Sequence, residues 1–345
     1  AQQFKAQYTF KDFRKLLECK AVDIVITGTP DHWHTMVNIA ASNAGKDIYS
    51  EKPLTLTIAE GKKLVEVIKK NKTILQVGSQ QRSEQNFRFA CELVRNGRIG
   101  KLKNILVGLP TGPREGPFAP QPVPDFLDWD FYQGQTGPRD YTTNRTHYQF
   151  RWWYDYSGGQ LTDWGAHHND IAQWGNGTEL SGPVEFDGRA LGEPMIEGGY
   201  TAAAEFHIEA KYANGVTMTT TNRAPCGIRF EGTEGWVYVE RGGTKYSHPE
   251  LEEVKFDDSK DIRLYRSNHH MGNFIECVKN RKEPICPVEV GHRSISVAHL
   301  NVIAVRLGRK FKWDPVAETI IGDKEAEAML SRPMRKPYNY SFIGL

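Results

Sequence analysis

No apolar run in this sequence approaches the roughly 20 residues that a bilayer-spanning helix needs. A membrane span is therefore not expected. An excess of either charge is also missing: 44 lysines and arginines against 42 aspartates and glutamates, scattered along the chain, leave no basic run to track a phosphate backbone. That excludes nucleic acid as an expected partner. Paired cysteines are absent too. Cys19, Cys91, Cys226, Cys277 and Cys286 are odd in number, widely spaced and never in a C-x-x-C pair, which argues against a disulfide framework and against a zinc cluster. Neither an internal repeat nor a low-complexity segment is present. What remains is an ordinary globular composition, 39% hydrophobic and 25% charged, over a length that suits two domains with a ligand cleft between them.

The first hundred residues alternate. Thr9-x-x-Asp12 reads as a capping box before a short helix carrying Phe10, Phe13, Leu16 and Leu17. Val22 to Thr27 is β-branched and almost continuously apolar, as expected for a parallel strand covered on both faces, and it ends in the turn Gly28-Thr-Pro-Asp31. A helix over 33–44 stops at Gly45, a strand follows over Asp47 to Ser50, Thr57-x-x-Glu60 caps another helix, and 73–78 is strand-like again. The β-α-β-α-β order predicts a doubly wound α/β sheet. After about residue 100, hairpins turning at Asn214-Gly215 and near 233–235 predict longer antiparallel strands, and helices are expected over 268–282 and 291–309, with a polar tail to Leu345. The Pro-, Gly- and aromatic-rich segment 110–156 is too irregular for an element and has the character of a loop that covers a site.

A complete dinucleotide-binding fold opens with a strand, a G-x-G-x-x-G turn at a helix N-terminus and an acid about 20 residues later. That glycine pattern is not found here. Gly28-Thr-Pro lacks the spacing, and Gly232-Thr-Glu-Gly235 sits inside a predicted hairpin. Supplying the missing strands and helices would take on the order of 50 residues, so the expectation is a fragment of a longer chain, the alternative being a protein that has lost its grip on the cofactor.

Three spots place reactive groups at the carboxyl ends of strands, where such sheets bind ligands. The first is Thr29-Pro30-Asp31-His32-Trp33-His34, and the second is Glu51-Lys52-Pro53, whose lysine is held by a stiff backbone and can aim its ammonium at a hydroxyl or an amide. The third runs from Gly158 through Asp163 and His167-His168 to Asp170. Asp163 and His167 are four apart, so on one helix they share a face where a carboxylate can orient an imidazole. Each spot alone is equally compatible with a structural role: a solvated lysine, an N-cap, a packed histidine.

Together and in this order the three motifs resemble the Gfo/Idh/MocA family, over residues 5 to 340. The resemblance implies an N-terminal Rossmann-type parallel sheet with helices, truncated here, over 1–105. A substrate-binding and oligomerisation α/β domain with a large open, mainly antiparallel sheet follows over 106–345, its last helices packing back on the first domain. It implies NAD or NADP as cofactor and a sugar, sugar derivative or cyclitol as substrate. By the same resemblance Lys52, Asp163 and His167 are catalytic, and Thr29, Pro30, His34, Glu51, Lys52 and Gln80 line the nicotinamide half of the cofactor. The mechanism implied is hydride transfer, with His167 taking the hydroxyl proton, Lys52 stabilising alkoxide charge and Asp163 orienting His167 or binding a neighbouring hydroxyl.

Substrate contacts are expected from Arg151, Tyr154 and Asp155 in the aromatic run 148–156, whose rings suit either sugar faces or a core, and from His168 and His270. The histidine pairs 32/34, 167/168 and 269/270 lack the carboxylate-bearing spacing of zinc sites, so no metal is expected. Two other functions fit the same residues: a lyase or glycoside hydrolase that retains NAD and oxidises its sugar transiently, and a non-catalytic sugar or cofactor sensor. The stretches Trp164-Gly-Ala-His-His and Gly291-His-Arg-Ser294 are similar to a subgroup often exported through a twin-arginine leader. That similarity implies a periplasmic location, with a cytoplasmic one still open, and the long sheet implies a homo-oligomer, dimer or tetramer.

Overall fold

The computed structural model describes residues 6–345; the first five residues of the N-terminal domain lie outside it. The chain begins with α1 (Phe13–Leu17), capped by Asp12 in place of Thr9: its carboxylate accepts from the backbone N–H of Arg14 at 2.9 Å. Then come β1 (Ile24–Thr27), α2 (Asp31–Asn43), β2 (Asp47–Ser50), α3 (Ile58–Asn71), β3 (Leu75–Val77) and α4 (Gln85–Arg95). Thr57 caps α3 through the N–H of Glu60, as its spacing predicts.

The three strands pair in parallel in the order β1-β2-β3, with Thr27 opposite Ser50 and Ser50 opposite Val77. All three therefore end on one line, and the backbone bonds Glu51 N–H to Thr27 and Gly78 N–H to Ser50, each 2.8 Å, carry that line one residue further. Gly28, Glu51 and Gly78 are placed side by side on the carboxyl edge of the sheet. The expectation that β1 is covered on both faces fails at Ile26, which is 63% exposed. Val25 is buried in the apolar layer under α2 and α3, whereas on the opposite face of this edge strand Ile24 is half-buried and Ile26 exposed.

The second half contains β4 (Leu102–Gly108), α5 (Trp129–Gln133), α6 (Gln160–Asp163), α7 (Gly165–Asn176), β5 (Pro183–Leu191), β6 (Glu205–Tyr212), β7 (Thr217–Thr221), β8 (Gly227–Gly232), β9 (Trp236–Glu240), β10 (Gly243–Tyr246), α8 (His270–Asn280), α9 (Val288–Leu307), β11 (Phe311–Asp314), β12 (Thr319–Ile321) and α10 (Lys324–Ala328). Nine strands form one sheet in the order β10-β9-β8-β4-β7-β6-β5-β11-β12, antiparallel except where β4 lies parallel to β7. A boundary at residue 105 would cut β4, which belongs wholly to this second sheet.

Helices α4, α7 and α9 cover one face. Ile105, Phe206, Ile208, Met218, Phe230 and Val237 pack from the strands against Ile171, Trp174 and Leu300, all essentially without solvent exposure. Each such side chain contributes about 1.5–3 kcal/mol through burial, so this layer anchors the fold. Gly188 on β5 lets α9 approach, since a Cβ there would stand 2.8 Å from the Cβ of Ala304. Helix α9 also packs on α3, and through Val288, Val290, Ile295 and Ala298 it completes the apolar layer of the first sheet. Between β4 and α6 the chain wraps around its own aromatics: Trp129, Tyr141, Phe150, Trp152, Trp153 and Tyr156 bury one another together with Tyr200.

Candidate active site

The carboxyl edge of the parallel sheet opens into a cleft of about 440 Å³, lined by Gly28, Thr29, Pro30, Asp31, His34, Glu51 and Lys52 from the first half and by Tyr132, His147, Phe150 and Arg151 from the wrapping segment. Sheet geometry fixes the first group. Lys52 leaves the end of β2 just past Glu51 and reaches across to α6, where its Nζ lies 2.5 Å from Oδ1 of Asp163 and also donates to the Asp163 backbone carbonyl at 3.1 Å. Arg151 donates from Nε to the same Oδ1 at 3.4 Å and from a terminal nitrogen to the Tyr148 carbonyl at 3.2 Å. One carboxylate thus fixes two cations at the floor of the cleft, and its burial makes their positions specific.

Asp163 therefore does not orient His167. The chain leaves α6 at Asp163 and starts α7 at Gly165, so the two residues do not sit on one continuous helix, and neither ring nitrogen of His167 bonds the carboxylate. Nδ1 of His167 is buried without a partner among the described residues. Burial, and after it the charges of Lys52 and Arg241, hold this imidazole well below its ordinary range, so it stands neutral beside the Lys52–Asp163 pair. The guanidinium of Arg241 lies 4.7 Å from the ring of Trp164, which in turn packs edge-on to His167.

Asp31, which sequence reasoning passed over although it stands inside the first motif, belongs to the same floor. It is 4% exposed and accepts from Ser157 Oγ at 2.5 Å. Burial pushes its carboxyl up to about 7; the Ser157 hydrogen bond opposes that shift and the charge of Asp163 adds to it.

The remaining candidates divide. Thr29 and Pro30 form the turn on the cleft wall, and a Cβ at Gly78 would stand 2.8 Å from Oε2 of Glu51, so that carboxylate lies over the end of β3. Gln80 follows that strand and donates to the Tyr49 hydroxyl at 3.2 Å. His34 reaches the cleft with its edge only: its nitrogens lie 2.7 Å from the Pro53 carbonyl and 2.8 Å from the Thr29 carbonyl, tying the first two motifs together. His168 is buried on the Gly108 carbonyl at 3.0 Å, and His270 lies between the Val77 carbonyl and Ser83 Oγ, each 2.8 Å away. Neither lines the cleft.

Tyr154 and Asp155 also turn away. Tyr154 accepts from Ala203 N–H at 3.1 Å, and Asp155 is held by Arg139 at 3.0 Å and Arg145 at 3.2 Å. Of the aromatic run, Phe150, Trp152, Trp153 and Tyr156 are core, whereas Tyr148 is exposed beneath Arg151. Among the described residues no cluster of three His, Cys, Asp or Glu side chains is arranged to hold a metal ion, and no helix is long and apolar enough to cross a membrane.

A nicotinamide ring fits the residues present. The end of the sheet is open over Gly28, where the nearest atom to an added Cβ is 4.0 Å away; Thr29, Pro30, Glu51 and Lys52 line that opening, and Gln80 stands beside Glu51 over Gly78. The glycine-rich turn that would hold a pyrophosphate is not among these residues.

Comparison with known proteins agrees with this architecture. Residues 1–79 match the oxidoreductase family's NAD-binding Rossmann fold, and residues 113–340 match the same family's C-terminal alpha/beta domain. The scyllo-inositol 2-dehydrogenase (NAD(+)) of Bacillus subtilis is 29% identical over 286 residues, 80% of this chain and 73% of that protein. The myo-inositol 2-dehydrogenase of Thermotoga maritima is 34% identical over 100 residues, 29% of this chain and 30% of that one. Among solved structures, the aldose-aldose oxidoreductase from Caulobacter crescentus, complexed with glycerol, superposes with a TM-score of 0.62 at 21% identity, covering 88% of this chain and 83% of that one. With both of its halves matched and the Lys52–Asp163 pair in place at the sheet's carboxyl edge, the chain belongs to the Gfo/Idh/MocA family of oxidoreductases.

Proposed function

We propose that this protein oxidises a secondary hydroxyl of a sugar, sugar derivative or cyclitol in an NAD-dependent reaction, with Lys52, Asp163 and His167 as its working groups. The Lys52–Asp163 contact of 2.5 Å at the mouth of the parallel sheet, with a neutral imidazole beside it, carries the reading. Nicotinamide, when bound, supplies the hydride acceptor. Every other task falls to the chain. Lys52, held by Asp163, donates a hydrogen bond to the substrate oxygen as negative charge grows on it, and that interaction is stronger in the transition state than in the ground state. His167, neutral at physiological pH, accepts the hydroxyl proton. Glu51, Gln80 and the Thr29-Pro30 turn would hold the nicotinamide ring, and Arg151 and exposed Tyr148 would offer a donor and a flat face to the rest of a polyol.

The named activity of the B. subtilis relative, which acts on scyllo-inositol with NAD(+), favours NAD and a polyol. A homo-oligomer belongs to the same proposal. The uncovered face of the nine-stranded sheet presents half-exposed Arg229, Glu231, Trp236 and Tyr238, a mixture of aromatic and charged groups suited to a subunit contact. A periplasmic setting rests on the motif similarity alone.

The test is incubation of the protein and NAD with a panel of sugars and cyclitols, following reduced nicotinamide at its near-ultraviolet absorbance and the sugar by mass spectrometry. Stoichiometric reduction that the Lys52→Met variant loses supports the proposal. Sugar conversion without net reduction would replace it with the redox-cycling lyase or hydrolase, and binding without any conversion would replace it with the sensor.

A further inference from the structure

A second cavity, about 400 Å³, lies apart from the cleft, where the start of α3, the middle of α9, the loop 135–137 and the segment 328–334 meet. Two guanidinium groups come to it from different elements, Arg306 on α9 and Arg332 on the C-terminal segment, and neither forms an ion pair with a carboxylate among the described residues. Half-buried Arg95 likewise holds no acid and donates to the Trp174 carbonyl instead, but at this cavity two such groups meet.

Arg332 donates to the Tyr154 backbone carbonyl, which uses one of its five N–H donors, and Arg306 lies over the Tyr154 ring at 5.2 Å. The acids nearby are already committed: Asp155 to Arg139 and Arg145, and Glu60 to the Leu56 N–H at 2.9 Å and the Thr35 hydroxyl at 3.3 Å. His299, buried on the cavity wall, is neutral, held down to about 3 by burial first and then by Arg332. Glu60 and Asp155 line the cavity but are bonded elsewhere, and two planar donor forks that neither acid engages, facing one cavity, are the arrangement that oxyanions with several charged oxygens recognise.

We propose that this cavity is a binding site for a small phosphate-bearing anion, separate from the catalytic cleft, with Arg306 and Arg332 as its ligands. The site is wired to the cleft by sequence. Phe150 and Arg151 line the cleft, and Tyr154 and Asp155, three to five residues on, line the anion cavity. An anion that draws Arg306 and Arg332 together across Tyr154 stiffens this segment and with it the Arg151 contact to Asp163.

The probe is inorganic phosphate. Its binding is followed by isothermal titration and by thermal unfolding against sodium chloride at matched ionic strength, with malonate as a dicarboxylate control. Saturable binding of one phosphate per chain is expected, weakened about tenfold in Arg306→Gln, the change for one lost charge-assisted hydrogen bond. Because Arg306 is exposed and makes no bond to another residue's backbone, this variant folds as the parent does, whereas Arg332→Gln also gives up the Tyr154 carbonyl and is the second, harsher test. Malonate binding as tightly as phosphate would show a carboxylate site and overturn the phosphate assignment. Phosphate that binds Arg306→Gln and the parent equally, or that stabilises no more than chloride does, would overturn the site itself. The readout needs no catalysis, so it stands or falls independently of the oxidoreductase proposal.

Discussion

The ammonium of Lys52 and the carboxylate of Asp163 meet at 2.5 Å across 111 residues of chain, one at the end of a parallel strand and the other at the end of a four-residue helix. Neither element fixes the contact alone. If Lys52 stabilises developing alkoxide charge, Lys52→Met lowers kcat by about 100- to 1,000-fold while KM moves little, because the interaction lost is made mainly in the transition state. Asp163→Asn frees the ammonium without removing it and lowers kcat less. Steady-state kinetics on the two variants decide between this and a lysine that only binds substrate, for which KM rises and kcat holds.

The pH profile follows from the neutral state of His167. Its pKa is lowered, so the base stays unprotonated as pH falls through the usual imidazole range, and loss of activity through His167 begins only well below 6.5. Asp31 titrates at about 7 close by, so the measurement is made in the Asp31→Asn background. There kcat/KM is expected to stay level from pH 8 down through 6.5, the usual imidazole value. A limb centred near 6.5 in that variant would mean that the imidazole is solvated and positioned differently.

Asp31 also gives a stability prediction with a definite sign. Its folded pKa lies above its unfolded value, so between pH 3.8 and about 7 the native state holds a proton that the unfolded state releases, and stability falls as pH rises through that window. Replacing it with asparagine, which can still accept from Ser157, removes this cost. Urea unfolding of Asp31→Asn is expected to show a gain of a few kcal/mol, roughly 2–4, at pH 8 that disappears towards pH 4. A gain independent of pH would point to packing instead of ionisation.

Arg82 is the most completely buried arginine or lysine among the described residues. It forms a double bond set with Asp170 at 2.6 and 2.9 Å and a third contact with Glu179 at 2.7 Å, while Ser294 donates to Asp170 at 2.6 Å. Arg82→Met leaves Asp170 charged and unpaired in the core and is expected to cost about 3–5 kcal/mol; adding Asp170→Leu should recover much of that loss. Chemical denaturation of the single and double variants measures both.

The βαβ half was legible because each element carries its own signal: a β-branched run at 22–27, a Thr57 cap, a glycine after α2. The hairpins β6-β7 and β8-β9 declared themselves through their turns. Strand β4 did not, because its partners, β7 and β8, lie more than 100 residues away and no local turn marks it. Strands β5, β11 and β12 are likewise defined by their neighbours more than by their own pattern, and α4 went unread despite its amphipathic sequence.

In the cleft, Lys52 was visible as a lysine locked between an acid and a proline. The Asp163–His167 relation was misread because four-residue spacing implies a shared face only on an unbroken helix, and the chain breaks at Trp164. Whether a polar side chain in a mixed segment faces a cleft or a core depends on the far side of the fold. That is why Tyr154, His168 and His270 passed as candidates and Asp31 did not.

The placement of β4 in the middle of the nine-stranded sheet sets an order for biosynthesis. Strand β4 leaves the ribosome first, yet both edges it must satisfy are supplied by β7 and β8, which end at Thr221 and Gly232. Until then Ile105 and Val107 have no sheet to join. A nascent chain stalled near residue 200 would hold the three parallel strands without the α9 side chains that complete their apolar layer, and beside them an unpaired apolar strand, the form in which chaperone binding and misassembly are to be looked for.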